Sequence, residues 1–167
     1  MNALGLESRL VQNPALGAVV LWRFARKYSD SHPVHAAAPL CLVALVLPMV
    51  WHTDTATNIA STQIASGLRA FADKFFDAQD SNLDALLAIH SRAARWRSKT
   101  TNALRIGFGS GLLRLNERGG LMPSDTVWQP AKHPSTVRIQ TNVAEKLGAW
   151  FSALSLLEIA AIVHVRF

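Results

Sequence analysis

The stretch Gly107–Pro123, GFGSGLLRLNERGGLMP, decides which kind of fold this chain has, because five of its seventeen residues are glycine. Glycines at this density occur in loops that hold phosphate groups and in sharp bends between secondary-structure elements. The first alternative predicts a nucleotide-binding enzyme. The second predicts a small fold in which the chain bends into a tight turn.

The spacing of the glycines argues against a nucleotide-binding loop. Such a loop requires a strand, then Gly-x-Gly-x-x-Gly, then a helix. Gly107, Gly109 and Gly111 instead follow a predicted helix and precede a predicted strand. No lysine-serine pair of a P-loop follows, and Phe108 occupies the position of the first glycine in a Gly-x-Ser-x-Gly nucleophile elbow. We therefore predict that positive φ angles at Gly109 and Gly111 end a helix and turn the chain.

The residues after this bend predict a β-hairpin. Leu112–Leu115 and Leu121–Pro123 are short apolar strips that flank the turn Asn116–Gly120, which ends in Gly-Gly. Two such strips around a glycine-containing turn are typical of a hairpin.

The elements before the hairpin predict a winged-helix-like lobe over residues 59–123. Apolar periodicity indicates helices at Ile59–Asp77 and Asn82–Trp96, a break at Ser98–Thr101, and a short helix at Thr101–Phe108. Three helices followed by a hairpin are the order of a winged helix-turn-helix. The third helix would then read nucleic acid, and the hairpin turn would be the wing.

The rest of the sequence completes a mainly α fold with one short hairpin, in a single domain over residues 1–167. Residues 13–51 hold two apolar helices, which begin at Asn13-Pro14 and at Pro39. A last helix begins near Asn142, with Glu145 placed for a capping box, and residues 142–167 return to the core. The tryptophans assigned to the core are Trp51, Trp96, Trp128 and Trp150.

The first helix is apolar on two faces, and such a helix is either buried on both sides or in contact with another chain. Its main apolar stripe includes Leu21 and Phe24, and Val19 and Trp22 lie opposite. We interpret the second face as a partner-binding surface with Trp22 as its anchor. The predicted partner-binding residues are Val19, Trp22, Arg23 and Arg26.

Basic residues are concentrated in one window of the sequence. Residues 92–118 contain seven basic side chains and one acidic side chain, so this window carries the whole formal net charge of +6. We interpret it as a contact surface for nucleic acid or for an acidic partner. Sequence-specific DNA reading, nonspecific contact with phosphate or acidic protein, and plain solvation are three alternatives. The seven residues are Arg92, Arg95, Arg97, Lys99, Arg105, Arg114 and Arg118.

No set of residues in the sequence predicts an active site or a metal centre. Asp30, His32 and His35 share a loop but have no fourth ligand nearby. His52 and Asp54 resemble a general-base pair, but no activated nucleophile accompanies them, and capping of a helix explains both. We therefore expect no enzymatic activity and no cofactor. A hidden site built from His52, Asp54 and His90 is the enzymatic alternative.

The expected location is the cytoplasm. The chain has one cysteine, Cys41, which excludes a disulfide within the chain and is consistent with a reducing compartment. The N-terminus lacks the basic start and apolar core of a signal peptide. Val34–Trp51 is apolar, but His35 and two prolines interrupt it, and a spanning helix needs about 20 residues. We predict a buried helix there, with a small membrane protein as the alternative.

Three stretches read together resemble a known family. They are Asn13–Phe24 (NPALGAVVLWRF), Pro39–His52 (PLCLVALVLPMVWH) and Ala144–Phe151 (AEKLGAWF), together with the Gly109–Leu121 bend and hairpin. The combination is similar to the small middle component of bacterial three-component ABC conflict systems. Those systems are Lamassu-like defence operons, which also encode an SMC/Rad50-like ATPase and a separate effector, often a nuclease. The similarity extends over most of Asn13–Phe167.

The resemblance implies a non-enzymatic adaptor. Such a subunit would lie near the ATPase heads, connect them to the effector, and restrain the effector until foreign DNA engages the ATPase. The family supplies no catalytic residue, so ATP and Mg²⁺ would belong to the ATPase, and DNA would be reached through the complex. A DNA-binding regulator that uses Thr101–Phe108 and the wing is the alternative from another class.

Overall fold

The computed structural model describes residues 13–76, 81–127 and 129–167. This part of the chain contains eight α-helices and one two-stranded antiparallel hairpin, so the predicted mainly α fold with a short hairpin is confirmed. Trp128, which the sequence assigns to the core, lies outside the described residues. The elements are α1 (Pro14–Ser31), α2 (Leu40–Val50), α3 (Thr53–Ser61), α4 (Gly67–Phe76), α5 (Ser81–Arg95), α6 (Arg97–Gly109), β1 (Leu113–Leu115), β2 (Leu121–Pro123), α7 (Ser135–Ser152) and α8 (Leu156–Ile162), with 3₁₀ turns at Ile64–Ser66 and Pro130–Lys132.

Helix α1 begins as predicted and is the central element of the core. The Asn13 side chain accepts a hydrogen bond from the Ala15 backbone N–H at 2.8 Å, and Pro14 occupies the first helical position. The helix packs most extensively against α7 and next against α6, and it also contacts α2 and β2. Both of its apolar faces are therefore covered by this chain.

Two glycines allow the helices to approach α1 closely. A Cβ atom at Gly148 of α7 would lie 2.6 Å from the Phe24 carbonyl oxygen and 2.9 Å from the Tyr28 nitrogen. A Cβ atom at Gly17 of α1 would lie 2.9 Å from the Ala103 Cβ atom of α6. Only glycine fits at either contact without displacing its neighbours.

Helix α2 lies in the core, with Leu42, Val43, Val46, Leu47 and Met49 almost completely buried. Pro39 precedes its first residue, as predicted. Among the described residues no single helix is long and apolar enough to cross a membrane. The pair α2 and α3 reaches that length and composition only together, and it is bent by 99°.

The predicted helix Ile59–Asp77 is instead divided. Helix α3 ends at Ser61, a 3₁₀ turn follows, and Gly67, with a φ of 79°, precedes the rest of α4. The Lys146 ammonium of α7 donates hydrogen bonds to the carbonyl oxygens of Ile59, Ala60 and Thr62. This side chain satisfies the carbonyls at the end of α3, so the break is stabilised by a residue far away in the sequence.

The last long helix starts earlier than predicted. Helix α7 begins at Ser135, so Asn142 lies inside it and Glu145 makes no capping box. A capping box is found one helix later, where the Ser155 hydroxyl accepts from the Glu158 N–H and the Glu158 carboxylate accepts from the Ser155 N–H. After α8 the chain packs against the core through Val163 and Val165, both buried.

The hairpin is confirmed, with Arg114 opposite Met122 in the antiparallel register. The Asn116 side chain accepts from the backbone N–H groups of Arg118 and Gly120 and so holds the turn. Gly111 has a φ of 72°, as predicted, whereas the prediction for Gly109 is wrong, because it is the last residue of α6 and has no positive φ.

Helix α6 is longer than the predicted helix Thr101–Phe108, since only Trp96 separates it from α5. Residues 98–101 do not break the helix. The Thr101 hydroxyl donates to the Arg97 carbonyl oxygen, four residues earlier, at 2.9 Å, a side-chain bond that a continuous helix accommodates, and Thr100 is buried.

Candidate interaction surface

The exposed part of α6 is basic and free of acidic side chains, although Ile106 and Phe108 of this helix are also 40% and 38% exposed. Its sequence, RSKTTNALRIGFG, contains no Asp or Glu. Thr100, Ala103 and Gly107 are buried on one side of the helix. The opposite side carries residues three or four positions apart, which form one stripe. This α6 stripe consists of the exposed residues Arg97, Ser98, Thr101, Asn102 and Arg105.

The hairpin carries two further arginines of the basic window. Arg114 on β1 and Arg118 in the turn are both exposed. They line a groove of about 980 Å³ between the hairpin and the segment that precedes α2, together with Val34, Leu40 and Glu117. The groove therefore combines guanidinium groups with apolar side chains.

Two of the seven predicted contact residues are not freely exposed. Arg92 is only 4% exposed, so its assignment to the contact surface is corrected. It lies near His52 and Asp54, and burial, followed by the charge of Arg95, lowers its pKa. The Lys99 ammonium lies 4.6 Å from the centre of the Trp96 ring, in a cation–π contact. The five exposed members are Arg95, Arg97, Arg105, Arg114 and Arg118.

The predicted partner-binding face of α1 is covered largely by the same chain, with Trp22 buried and Val19, Arg23 and Arg26 partly exposed. Trp22 is only 2% exposed, and its indole N–H donates to the Ser124 carbonyl oxygen at 3.2 Å. Val19 packs against the core. Arg23 donates to Glu145 of α7 through its Nε at 2.8 Å, and Arg26 donates to the Ser124 carbonyl oxygen at 3.0 Å. A helix that is apolar on two faces is either buried on both sides or in contact with another chain. Here α1 is buried on both sides, because α6 and the hairpin cover its second face.

The histidines considered for catalysis or metal binding have local structural contacts. His52 precedes α3, and its Nδ1 lies 3.4 Å from the Thr55 backbone nitrogen and 3.0 Å from the Thr55 hydroxyl. His90 Nδ1 lies 3.4 Å from the Arg166 nitrogen. His32 stacks on Tyr28 with ring centres 5.7 Å apart. Within the described ranges, no three His, Cys, Asp or Glu residues are grouped so that they could hold a metal ion.

His52 makes the stability of the fold depend on pH. Burial, and then the charge of Arg92, lowers the pKa of His52 below its ordinary 6.5, while Asp54 acts in the opposite direction. A lowered folded-state pKa means that the unfolded chain binds the proton first. The free energy of unfolding is therefore expected to fall as the pH drops from about 7 through the folded-state pKa.

Substituting asparagine tests this expectation. Asn is a good N-cap residue and does not titrate, so H52N should keep α3 capped and show a smaller loss of stability between about pH 7 and pH 5. Urea unfolding at several pH values measures the difference. An unchanged pH dependence in H52N would show that His52 does not cause it.

The structure also contains an apolar pocket that was not predicted from the sequence. A pocket of about 370 Å³ lies between α2, α5, α6 and residues 165–167. Helix α2, the adjacent helices α5 and α6, and residues 165–167 are far apart in the sequence. No local sequence pattern marks the pocket, because Leu40, Cys41 and Ala44 lie on a helix that was predicted to be buried, and only the structure shows that they are at least partly exposed.

Comparison with models of known protein families gives a match. A family model described as ABC-three component (ABC-3C) system Middle Component 3 matches residues 1–167. None of the curated proteins and none of the solved structures compared with the chain matches it.

Proposed function

Because this chain belongs to the Middle Component 3 family of ABC-three component systems, we propose that it is the adaptor subunit of such a system. Membership in a three-component ABC system confirms the coarser part of the resemblance found in the sequence. A middle component implies further components with which it works. The family match over residues 1–167 is the observation that carries the proposal.

In this proposal the chain links an SMC/Rad50-like ATPase of the Lamassu type to an effector, for which a nuclease is our first candidate. It restrains the effector until foreign DNA engages the ATPase, in defence against phages and plasmids. The chain itself is non-enzymatic and binds no cofactor, and ATP and Mg²⁺ bind to the ATPase. It works in the cytoplasm, away from the membrane, and reaches DNA through the complex.

The surface of the chain supports a binding role. The α6 stripe and the two hairpin arginines present several guanidinium groups without an acidic side chain on α6. Arginine binds carboxylate and phosphate groups through paired hydrogen bonds. Either an acidic surface of a partner protein or a DNA backbone would complement the α6 stripe and the hairpin arginines.

Co-expression of the chain with the products of the neighbouring genes tests the adaptor role. We expect a complex that contains the chain, the ATPase and the effector and survives size-exclusion chromatography. We also expect the ATPase and the effector to separate when the chain is omitted. A chain that elutes alone in the presence of both neighbours would overturn the proposal.

A DNA-binding regulator is the second candidate function, and the acid-free α6 stripe favours it. If Arg105 and Arg114 contact phosphates, R105E/R114E should weaken binding of the isolated chain to duplex DNA. The plot of the logarithm of the binding constant against the logarithm of the salt concentration should then be less steep by about 2, since each phosphate contact contributes about 0.9 to the steepness. Fluorescence anisotropy at several salt concentrations measures both effects.

The matched control is K132E/R138E, which changes the net charge by the same amount at two exposed positions outside this region. Equal weakening by the two variants would mean that only net charge matters. Failure of the unmodified chain to bind duplex DNA would remove the regulator and leave the adaptor.

A further inference from the structure

The pocket between α2, α5, α6 and the segment after α8 has an apolar wall and a partly open mouth. Its volume of about 370 Å³ lies within the range of protein binding pockets, about 300–1,000 Å³. Leu45 and Val165 are buried in its wall. Leu40 and Phe167 line it while remaining 41% and 53% exposed. The folded chain thus leaves apolar surface in contact with solvent at a concave site.

The charged side chains that line this pocket are all basic. Arg97, from the α6 stripe, and Arg166 line it together with His90, and no Asp or Glu side chain is among the described residues that do so. A ligand that fills the pocket with apolar groups and places carboxylates at its edge would match both properties.

We propose that this pocket binds an apolar side chain carried by an Asp/Glu-rich segment of another subunit of the system. The inference rests on the proposed function, because that subunit is the source of the segment. An apolar anchor in a concave site is the typical centre of a protein interface, and charged groups at its rim select the partner.

The pocket fits a protein segment better than it fits nucleic acid. A phosphate backbone would find Arg97 and Arg166 but would supply no apolar group for Leu40, Ala44 and Leu45. Phe167 is the one phenylalanine, tyrosine or tryptophan among the described lining residues, so the pocket has no row of such side chains on which successive bases could stack.

Cys41 provides a reporter inside the pocket. It is the single cysteine of the chain, lines the pocket and is partly exposed. N-ethylmaleimide should modify Cys41 in the isolated full chain. In the complex with the ATPase and the effector, the rate at which N-ethylmaleimide modifies Cys41 should fall by about tenfold or more, because the thiol reacts only while the pocket is empty.

A second thiol controls for general coverage of the surface. The variant C41S/S135C carries its thiol at an exposed position at the start of α7, away from the pocket. Its rate of modification should be the same in the isolated chain and in the complex. Equal protection of both thiols, or protection of Cys41 by duplex DNA alone, would overturn the proposal.

Substitutions at the mouth of the pocket test the pocket proposal separately from the adaptor proposal. A44D introduces a carboxylate at an exposed lining position, and R97E reverses a rim charge, so each should weaken the complex by about tenfold or more. R97K should retain most of the affinity, and A15D, on an exposed alanine outside the pocket, should retain all of it. Unchanged thermal unfolding of the isolated variants shows that they fold.

The outcomes distinguish the two proposals. A complex that forms with Cys41 as reactive as in the isolated chain, or that tolerates A44D and R97E, overturns the pocket proposal and leaves the adaptor intact. Failure of any complex to form overturns the adaptor, and the pocket proposal with it.

Discussion

Replacing Gly148 with valine is expected to abolish folding, because no side chain fits between α1 and α7 at this position. Even a single Cβ atom would lie 2.6 Å from the Phe24 carbonyl oxygen and 2.9 Å from the Tyr28 nitrogen. Both are backbone atoms of α1, so no change of rotamer relieves the clash. Overpacking against side chains costs about 1–3 kcal/mol, and G148A should reach or exceed the upper end. Valine adds two more carbons to a fold whose total stability is about 5–15 kcal/mol.

Urea unfolding followed by circular dichroism measures the effect of G148A, and the absence of a cooperative transition identifies an unfolded G148V. The control is G109A, at the glycine that ends α6, where an added Cβ atom meets nothing within 4 Å. That substitution should leave stability unchanged or raise it by about 0.5–1 kcal/mol, because alanine is the better helix former. If G148A and G109A unfolded at the same urea concentration, the close approach of α1 and α7 would be wrong.

Elements with local signals were predictable from the sequence. Asn13-Pro14 specifies a helix start without reference to the rest of the chain, and so does the proline before α2. The hairpin follows from two apolar strips and a turn in which Asn116 and Gly119 supply the required side chain and φ angle. Each of these signals lies within a few residues of the feature that it determines.

Elements defined by distant contacts were not predictable. The break after Ser61 is stabilised by Lys146, more than eighty residues away in the sequence. The close packing of Gly148 on α1 has no local signature either. A glycine inside a helical pattern lowers the predicted helix propensity, and the sequence does not show the opposing backbone that requires it.

The interaction surface was predictable in composition but not in detail. A charge count finds the basic window, yet it cannot tell that Arg92 is inside and Arg97 outside. Periodicity shows that α1 has two apolar faces, but it does not tell whether the second face meets this chain or another. The structure resolves this for Trp22 by placing β2 and α6 over α1.

Replacing Trp22 with alanine is therefore expected to destabilise the isolated chain by about 3–5 kcal/mol, the usual cost of removing a buried tryptophan. The side chain is almost completely buried, and its indole N–H bonds the Ser124 carbonyl oxygen. The loss combines apolar burial, the cavity left behind, and one of the two hydrogen bonds to the Ser124 carbonyl oxygen, which keeps its bond from Arg26. W22F keeps most of the apolar contact and loses the hydrogen bond, so its cost should be intermediate. Urea unfolding of the isolated chain gives both values.

The same variant separates a core residue from an interface anchor. If Trp22 stabilises only the core, W22A should bind the ATPase and the effector with the parent affinity once the measurement is corrected for the folded fraction. The control is L157A, at a leucine that is 80% exposed, where stability should change by no more than about 0.5 kcal/mol. An anchor would behave in the opposite way, with unchanged stability in W22A and a loss of affinity of tenfold or more. That result would mean that α1 turns its second face to a partner, and that α6 and the hairpin move away from it in the complex.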